Sequence, residues 1–305
     1  MLDLTVAKLR LVVGIGLGML ASLSWACPPP GFSKQQLLDL KASKFKALDP
    51  ARIEPLAQGL LPCLASPDPV LRDEIAFEVL SGWMRSQQLS TRFATAVLQR
   101  LQPQLAEGFA DPSGFIKPFA ALTLAEVARM DRNEKFLSDA QWSGLLVAAT
   151  SYLTSVRDYR GFDQAEGWRH GVAHTADLLL QLALNPRASK ADLDSMLAAI
   201  ATQVAPPGTH FYIYGEPLRL ARPTLFIAQR NLHTEQEWNT WLDSISQPAP
   251  LNSWGDAFSS QSGLAKRHNT VAFLNALYLF LQENAPAATR ERVLKPLQAA
   301  LARVP

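Results

Sequence analysis

The chain has 305 residues, 48% of them hydrophobic and 18% charged, which is enough apolar material for a substantial core and excludes disorder over most of its length. Its formal net charge of +2, with both signs interspersed, leaves no electrostatic footprint for nucleic acid or for an anionic membrane surface. The 21 prolines stand largely where helices should start or stop, as at Asp49-Pro50, Pro67-Asp68-Pro69, Asp111-Pro112 and Pro206-Pro207.

At the N-terminus, Lys8 and Arg10 precede an uncharged apolar stretch over 11–23, followed by Ser24-Trp25-Ala26. This is the layout of a signal peptide over 1–26, leaving 27–305 as a single all-helical domain exported to the periplasm. As a helix the apolar stretch would span only ~20 Å, short of the ~30 Å hydrocarbon core, so no permanent membrane span is expected in the mature chain. Gly14, Gly16 and Gly18 also weaken the stretch as an ordinary buried helix. Cleavage after Ala26 would expose Cys27, and lipid anchoring through Cys27 is the alternative localisation. A lipoprotein box, however, prefers Leu three places before the cysteine, where this chain has Ser24 followed by Trp25. The chain has two cysteines, and in an oxidising compartment a Cys27–Cys63 disulfide is their simplest use. Lipidation would leave Cys63 unpaired, and a cytoplasmic chain would keep two buried thiols.

From there on the pattern is helical almost throughout, with apolar residues three and four apart. Leu71, Ile75, Val79 and Leu80 begin it, and Phe93, Val97, Leu98 and Leu101 continue it. Further helices are expected over 115–130, 139–156, 167–184, 190–204, 218–229, 234–245, 270–282 and 288–303. Ser189 with Asp192, Thr234 with Glu237, and Asp163 with Glu166 each read as a helix cap followed three places on by an acid. The fold class expected is therefore all-α. Frequent breaks point to antiparallel helix pairs stacked as a HEAT- or armadillo-like superhelix or a helical toroid, with a compact irregular bundle as the alternative. Only His210-Phe211-Tyr212-Ile213-Tyr214 has strand character, as a short strand or an extended loop.

The segment 157–177 holds the densest polar chemistry. On a helix turning ~100° per residue, His170, His174 and Asp177 share one face and Trp168 points nearly the opposite way. Two imidazoles one turn apart, with a carboxylate one turn further, form either a site for a divalent metal such as zinc or a proton-transfer pair. The bland reading is a set of core histidines satisfied by neighbouring helices. The histidine spacing matches the zinc-protease pattern, but Gly171 stands in place of its general-base glutamate, which excludes that class. Glu216 stands at a loop-to-helix junction, where it suits either a helix cap or a site. Tyr152, Tyr159, Phe162, Trp168, Phe211, Tyr212 and Tyr214 cluster in sequence around polar groups, as they would in a sugar cleft or in a helical core. Lys266-Arg267-His268 reads as a solvated step before an apolar helix. Phosphate-binding loops, dinucleotide fingerprints, nucleophile elbows and paired-cysteine metal motifs are absent from the sequence.

Three blocks resemble the bacterial family known as domain of unknown function 2785. They are Arg157-Asp158-x-Arg160-Gly161-Phe162 through Gly167-Trp168-x-His170-x-x-Ala173-His174-x-Ala176-Asp177, then Tyr214-Gly215-Glu216-x-x-Arg219-Leu220-Ala221, then the helix from His268 to Tyr278. The motifs concentrate within 157–281. The resemblance implies a helical fold and one shared site formed by Asp158, Arg160, His170, His174, Asp177, Glu216 and Arg219, with Trp168 beside them, and it brings no substrate. Pro217 departs from the family, which more often has a second acidic residue there. The signal peptide is also a departure from members expected to be cytoplasmic.

Two functions follow as expectations. The first is a non-enzymatic helical-repeat module that binds a protein, peptide or glycan partner. The second is a metal-dependent, hydrolase-like enzyme using His170, His174 and Asp177, with Glu216 or Asp158 as an added ligand or base and Arg160 or Arg219 holding an anionic group. A functional site should place the histidines on an open polar pocket near an acid from another helix. Structural histidines should instead be buried and fully hydrogen-bonded.

Overall fold

A computed structural model describes residues 26–305, so the signal-peptide reading of 1–26 lies, all but its last residue, outside the described residues. The helices are α1 (Lys34–Ala42), α2 (Ile53–Leu60), α3 (Glu78–Arg85), α4 (Thr91–Leu101), α5 (Ile116–Asn133) and α6 (Asp139–Ser155), with a π-helical stretch, Val70–Phe77, running directly into α3. After a small hairpin of β1 (Phe162–Asp163) and β2 (Gly167–Trp168) come α7 (Gly171–Leu184), α8 (Lys190–Val204), α9 (Glu216–Gln229), α10 (Glu235–Ile245), α11 (Gln261–Asn284) and α12 (Ala287–Arg303). The chain is all-α, as its periodicity implies.

Helix starts follow their side chains. Ser138, Ser189 and Thr234 each accept a hydrogen bond from the N–H three residues on, and the side chains of Gln141, Asp192 and Glu237 accept one from the cap residue's own N–H. Each reciprocal pair satisfies two amides that the first turn leaves orphaned. Residues Asp163 and Glu166 depart from this expectation. There Asp163 Oδ1 accepts from the N–H groups of Ala165 (2.8 Å) and Glu166 (2.9 Å), closing the hairpin turn and starting no helix. Residues 210–214 run extended without joining a sheet. Asn269 holds them, its Oδ1 accepting from Tyr212 N–H (2.8 Å) and its amide donating to His210 O (3.0 Å). Helix α11 starts earlier than expected, because Ser260 caps it and Gly263 lets the Ala257 backbone approach within a distance no Cβ would allow. The Lys266-Arg267-His268 step is therefore helical.

Packing follows a ladder: α5 lies on α7, α7 on α9 and α9 on α11, while α6 lies on α8 and α8 on α10. Helix α7 sits at the centre, with 11 of its 14 residues buried. Leu178, Leu179 and Leu182 of α7, Phe119 and Leu124 of α5, Leu220 and Ile227 of α9 and Phe273 of α11 form the middle of the core. Each such side chain contributes about 1.5 to 3 kcal/mol of transfer free energy. A polar group on α7 is therefore costly unless it has a partner or a purpose. The Cys27–Cys63 disulfide ties the leading segment to the turn after α2. Among the described residues, no helix is long and apolar enough to cross a membrane.

Candidate functional site

The segment entering α7 is shaped by backbone constraints. Phe162 pairs with Trp168 and Asp163 with Gly167 across the hairpin. Beyond it, Arg169 N–H donates to Gly161 O (3.0 Å) and His170 N–H to Arg160 O (3.1 Å). His170 then turns the chain into α7 in the left-handed region, at φ 58° and ψ 40°. That conformation costs a residue with a Cβ roughly 1 to 2 kcal/mol, and such strain gathers at functional positions. Because the helix begins at Gly171, His170 is its cap and Trp168 is in a strand. The helical-face expectation fails for both. Trp168 does not point away from His170 but stacks on it, with ring centres 4.9 Å apart and planes 25° apart.

A cavity of ≈ 580 Å³ opens beside these rings, lined by Trp168, His170, His174, Asp177, Tyr214 and Arg219, with Phe77, Phe119 and Leu122 as its apolar wall. His174, one turn into α7, meets Phe119 edge-on at 5.2 Å and lies 5.7 Å from the His170 ring centre. Both histidines are buried, at 8% and 6% exposure, and neither His170 Nε2 nor His174 Nδ1 has a hydrogen-bond partner. Glu216 Oε1, from α9, stands 3.6 Å from His170 Nε2, within ion-pair reach but beyond hydrogen-bond distance. Its Oε2 accepts from Tyr214 N–H at 3.0 Å, which fixes the carboxyl at the start of α9, where the helix dipole favours it. Asp177 pairs with Arg219 at 2.9 Å.

Desolvation dominates the electrostatics. Burial pushes His170 down to about 4, helped by the Arg219 charge. It pushes His174 well below the usual histidine value, reinforced by His170 and Arg219. The same effect raises Glu216 and lifts Asp177 to about 6 even against Arg219. At neutral pH the site therefore offers two uncharged imidazoles and two carboxyls that hold protons more tightly than usual.

The expected metal set of His170, His174 and Asp177 does not converge. Among the described residues, no three His, Cys, Asp or Glu side chains are grouped to hold a metal ion. The left-handed cap displaces His170 from the helical register, and Asp177 is engaged by Arg219. Six of the eight expected site residues meet here: Trp168, His170, His174, Asp177, Glu216 and Arg219. Asp158 and Arg160 do not join them. They pair with each other, Arg160 Nε to Asp158 Oδ1 at 2.8 Å, on a second cavity of ≈ 690 Å³ that includes His210 and Ile213. Tyr214 borders both cavities. Its ring lies against Gly161, where a Cβ would sit 2.0 Å from Tyr214 Cδ2, and its hydroxyl donates to Phe162 O at 3.3 Å.

Sequence reasoning missed the contributions from the N-terminal half. Arg85 of α3 and Asp73 of the π-helical stretch reach the cavity wall. Arg85 Nε donates to Glu126 Oε2 of α5 at 2.9 Å. Arg72, fully buried, donates through Nε to Asp73 (2.9 Å) and through Nη2 to Glu166 O (2.6 Å), and it lies over the Phe115 ring. An arginine in an otherwise apolar helical stripe was the available signal. No curated protein and no solved structure matches the chain. The family model described as Protein of unknown function (DUF2785) matches residues 107–279, a span that holds all eight expected site residues and leaves out Asp73, Phe77 and Arg85. The chain belongs to the DUF2785 family.

Proposed function

We propose that this protein is an exported helical-repeat binding module, and that the cavity between α5, α7 and α9 is where its ligand sits. The observation that carries the reading is the pair of buried histidines on the wall of a ≈ 580 Å³ cavity, His170 and His174, whose Nε2 and Nδ1 respectively lack a hydrogen-bond partner. Unpaired buried nitrogens cost about 1 to 3 kcal/mol each, and a bound ligand recovers that cost. The α5–α7–α9–α11 row beside the α6–α8–α10 row supports a HEAT- or armadillo-like stack of helix pairs, a geometry that presents one row to a ligand. The Cys27–Cys63 bond supports an oxidising compartment such as the periplasm. It also engages the sulfur that a lipid anchor would need.

The metal-dependent hydrolase reading keeps one supporting observation, the raised Asp177 and Glu216 carboxyls near the imidazoles, and has no converging ligand set among the described residues. The binding reading is tested by thermal-shift screening of the purified protein against sugars, short peptides and metal salts, beside Trp168→Ala and His170→Gln. Ligands that stabilise the native state raise its melting temperature. The expected result is a rise with one organic class, lost in both variants. A rise with zinc or manganese alone, abolished by His170→Gln, would overturn it in favour of the metal enzyme.

A further inference from the structure

We propose that the ligand of this cavity is a neutral oligosaccharide, with one sugar ring seated against Trp168 and its hydroxyls at His170 and His174. The proposal rests on the ligand-binding reading above and names the class of ligand.

Charge is the first argument. The charged groups on the wall of the main cavity are matched from within the protein: Arg219 by Asp177, Arg85 by Glu126, and Asp73 by Arg72. In the neighbouring cavity Arg160 is matched by Asp158 and Arg169 by Glu166, while Asp163 accepts from a backbone amide and Arg157 donates to backbone carbonyls. An acidic or basic ligand would have to break one of these partly buried pairs and leave the other member without its partner, which is costly. A neutral ligand leaves them intact.

The second argument is the kind of hydrogen bond on offer. The uncommitted atoms are imidazole nitrogens, and burial keeps both rings uncharged at neutral pH. Each ring also has a backbone hydrogen bond, His170 with Tyr214 and His174 with Pro118, which takes the single N–H of a neutral imidazole and leaves the other nitrogen an acceptor. A sugar hydroxyl can donate to such a nitrogen, whereas a carboxylate has no proton to give.

The third argument is shape. Trp168 is 37% exposed at the cavity, Phe162 is 47% exposed with its ring centre 5.2 Å away, and the Tyr214 ring meets Trp168 edge-on at 5.8 Å. Contiguous exposed apolar patches, unlike scattered single residues, mark ligand grooves and interaction sites. The C–H face of a pyranose covers such a ring while its hydroxyls remain free to reach polar groups at the edge. Ile213 and Leu218, also exposed, line the neighbouring and the main cavity respectively. Tyr214 is a wall common to the two cavities, so a chain of sugars that crosses it fills both. This favours an oligosaccharide over a single sugar.

The experiment is a glycan array of neutral, uronic, sialylated and sulfated oligosaccharides, with immobilised short peptides as a separate arm. Neutral hits are followed by isothermal titration of a trimer and a hexamer of the same sugar into wild type, Trp168→Ala and His170→Gln. Folding of the variants is checked by circular dichroism. The expected result is binding confined to neutral chains, tighter for the hexamer than for the trimer, and weakened at least tenfold in both variants. Binding confined to acidic glycans or peptides, and still lost in Trp168→Ala, would overturn the neutral-sugar assignment while leaving the cavity as the binding site. Neutral-glycan binding unchanged in both folded variants would place the ligand elsewhere and overturn both readings. No binding in any arm would overturn the proposal.

Discussion

Burial lifts the Asp177 carboxyl to about 6 even with the Arg219 guanidinium 2.9 Å away, so desolvation exceeds the ion pair at this position. Its pH linkage has a definite sign. The folded pKa lies above the unfolded value of about 3.8, so the native state binds this proton more tightly. The resulting stabilisation is complete below about pH 3.8 and is lost as pH rises through about 6. Relative to Asp177→Asn, wild type should therefore gain about 2 kcal/mol between pH 7 and pH 4, at about 1.4 kcal/mol per pKa unit, as measured by urea unfolding. An equal pH dependence in the two proteins would refute the assignment. His170 acts in the opposite direction: its folded value lies below its unfolded one, so stability falls as pH drops from about 6.5 towards 4. At Gly161 the close approach of Tyr214 predicts that Gly161→Ala costs about 1 to 3 kcal/mol by overpacking. In a Tyr214→Ala background most of that penalty should vanish, a coupling that a double-mutant cycle measures. The polar residue types of the site were legible in the sequence, but their arrangement was not. Gly161 and Gly167 bracket Asp163 as a hairpin does, and reading Asp163 with Glu166 as a helix cap extended α7 back to 167. That error put Trp168 and His170 on opposite sides, whereas the hairpin stacks them.

At the scale of elements, helix starts marked by a reciprocal cap were placed within a residue, as at Ser189 before α8 and Thr234 before α10. Those caps act locally and need no tertiary contact to be recognised. Elements held by distant residues were not legible in the same way. The extended 210–214 segment depends on Asn269, and the hairpin depends on Arg72, far away in sequence. Arg72 has no exposed surface. It bonds Ser66 O (2.8 Å), Asp73 and Glu166 O, and packs on the Phe115 ring. Replacing it with methionine leaves Asp73 without its partner and unfastens the hairpin turn, at an expected cost of about 3 to 5 kcal/mol. Hydrogen exchange should then show faster exchange of the Arg169 and His170 amides, which close the hairpin onto Gly161 and Arg160. Unchanged protection there would mean that the hairpin holds without Arg72.

For the whole molecule, helical content followed directly from period 3.6, but helix spacing alone carries no record of which helix faces which. The central place of α7 between α5 and α9 emerges only from packing, and it is what brings residues of α3, α5 and α9 to one cavity. The cysteine pair was legible because only two cysteines exist to pair. The Cys27–Cys63 bond, closing 36 residues of separation, stabilises by about 3 to 4 kcal/mol in the loop-entropy model. Cys27→Ser with Cys63→Ser should therefore lower the melting temperature by roughly 10 °C while leaving helical circular dichroism unchanged. Equal melting temperatures would show that the bond does not constrain the unfolded chain. The central claim is that burial on the wall of a ligand cavity keeps His170 and His174 neutral, and long-range proton–nitrogen NMR of the histidine rings, titrated from pH 8 to pH 4, tests it most directly. The account predicts that both rings stay predominantly neutral down to about pH 5, the His170 ring reaching half-protonation only near pH 4. Titration of both rings near pH 6.5, as for solvated histidines, would contradict it.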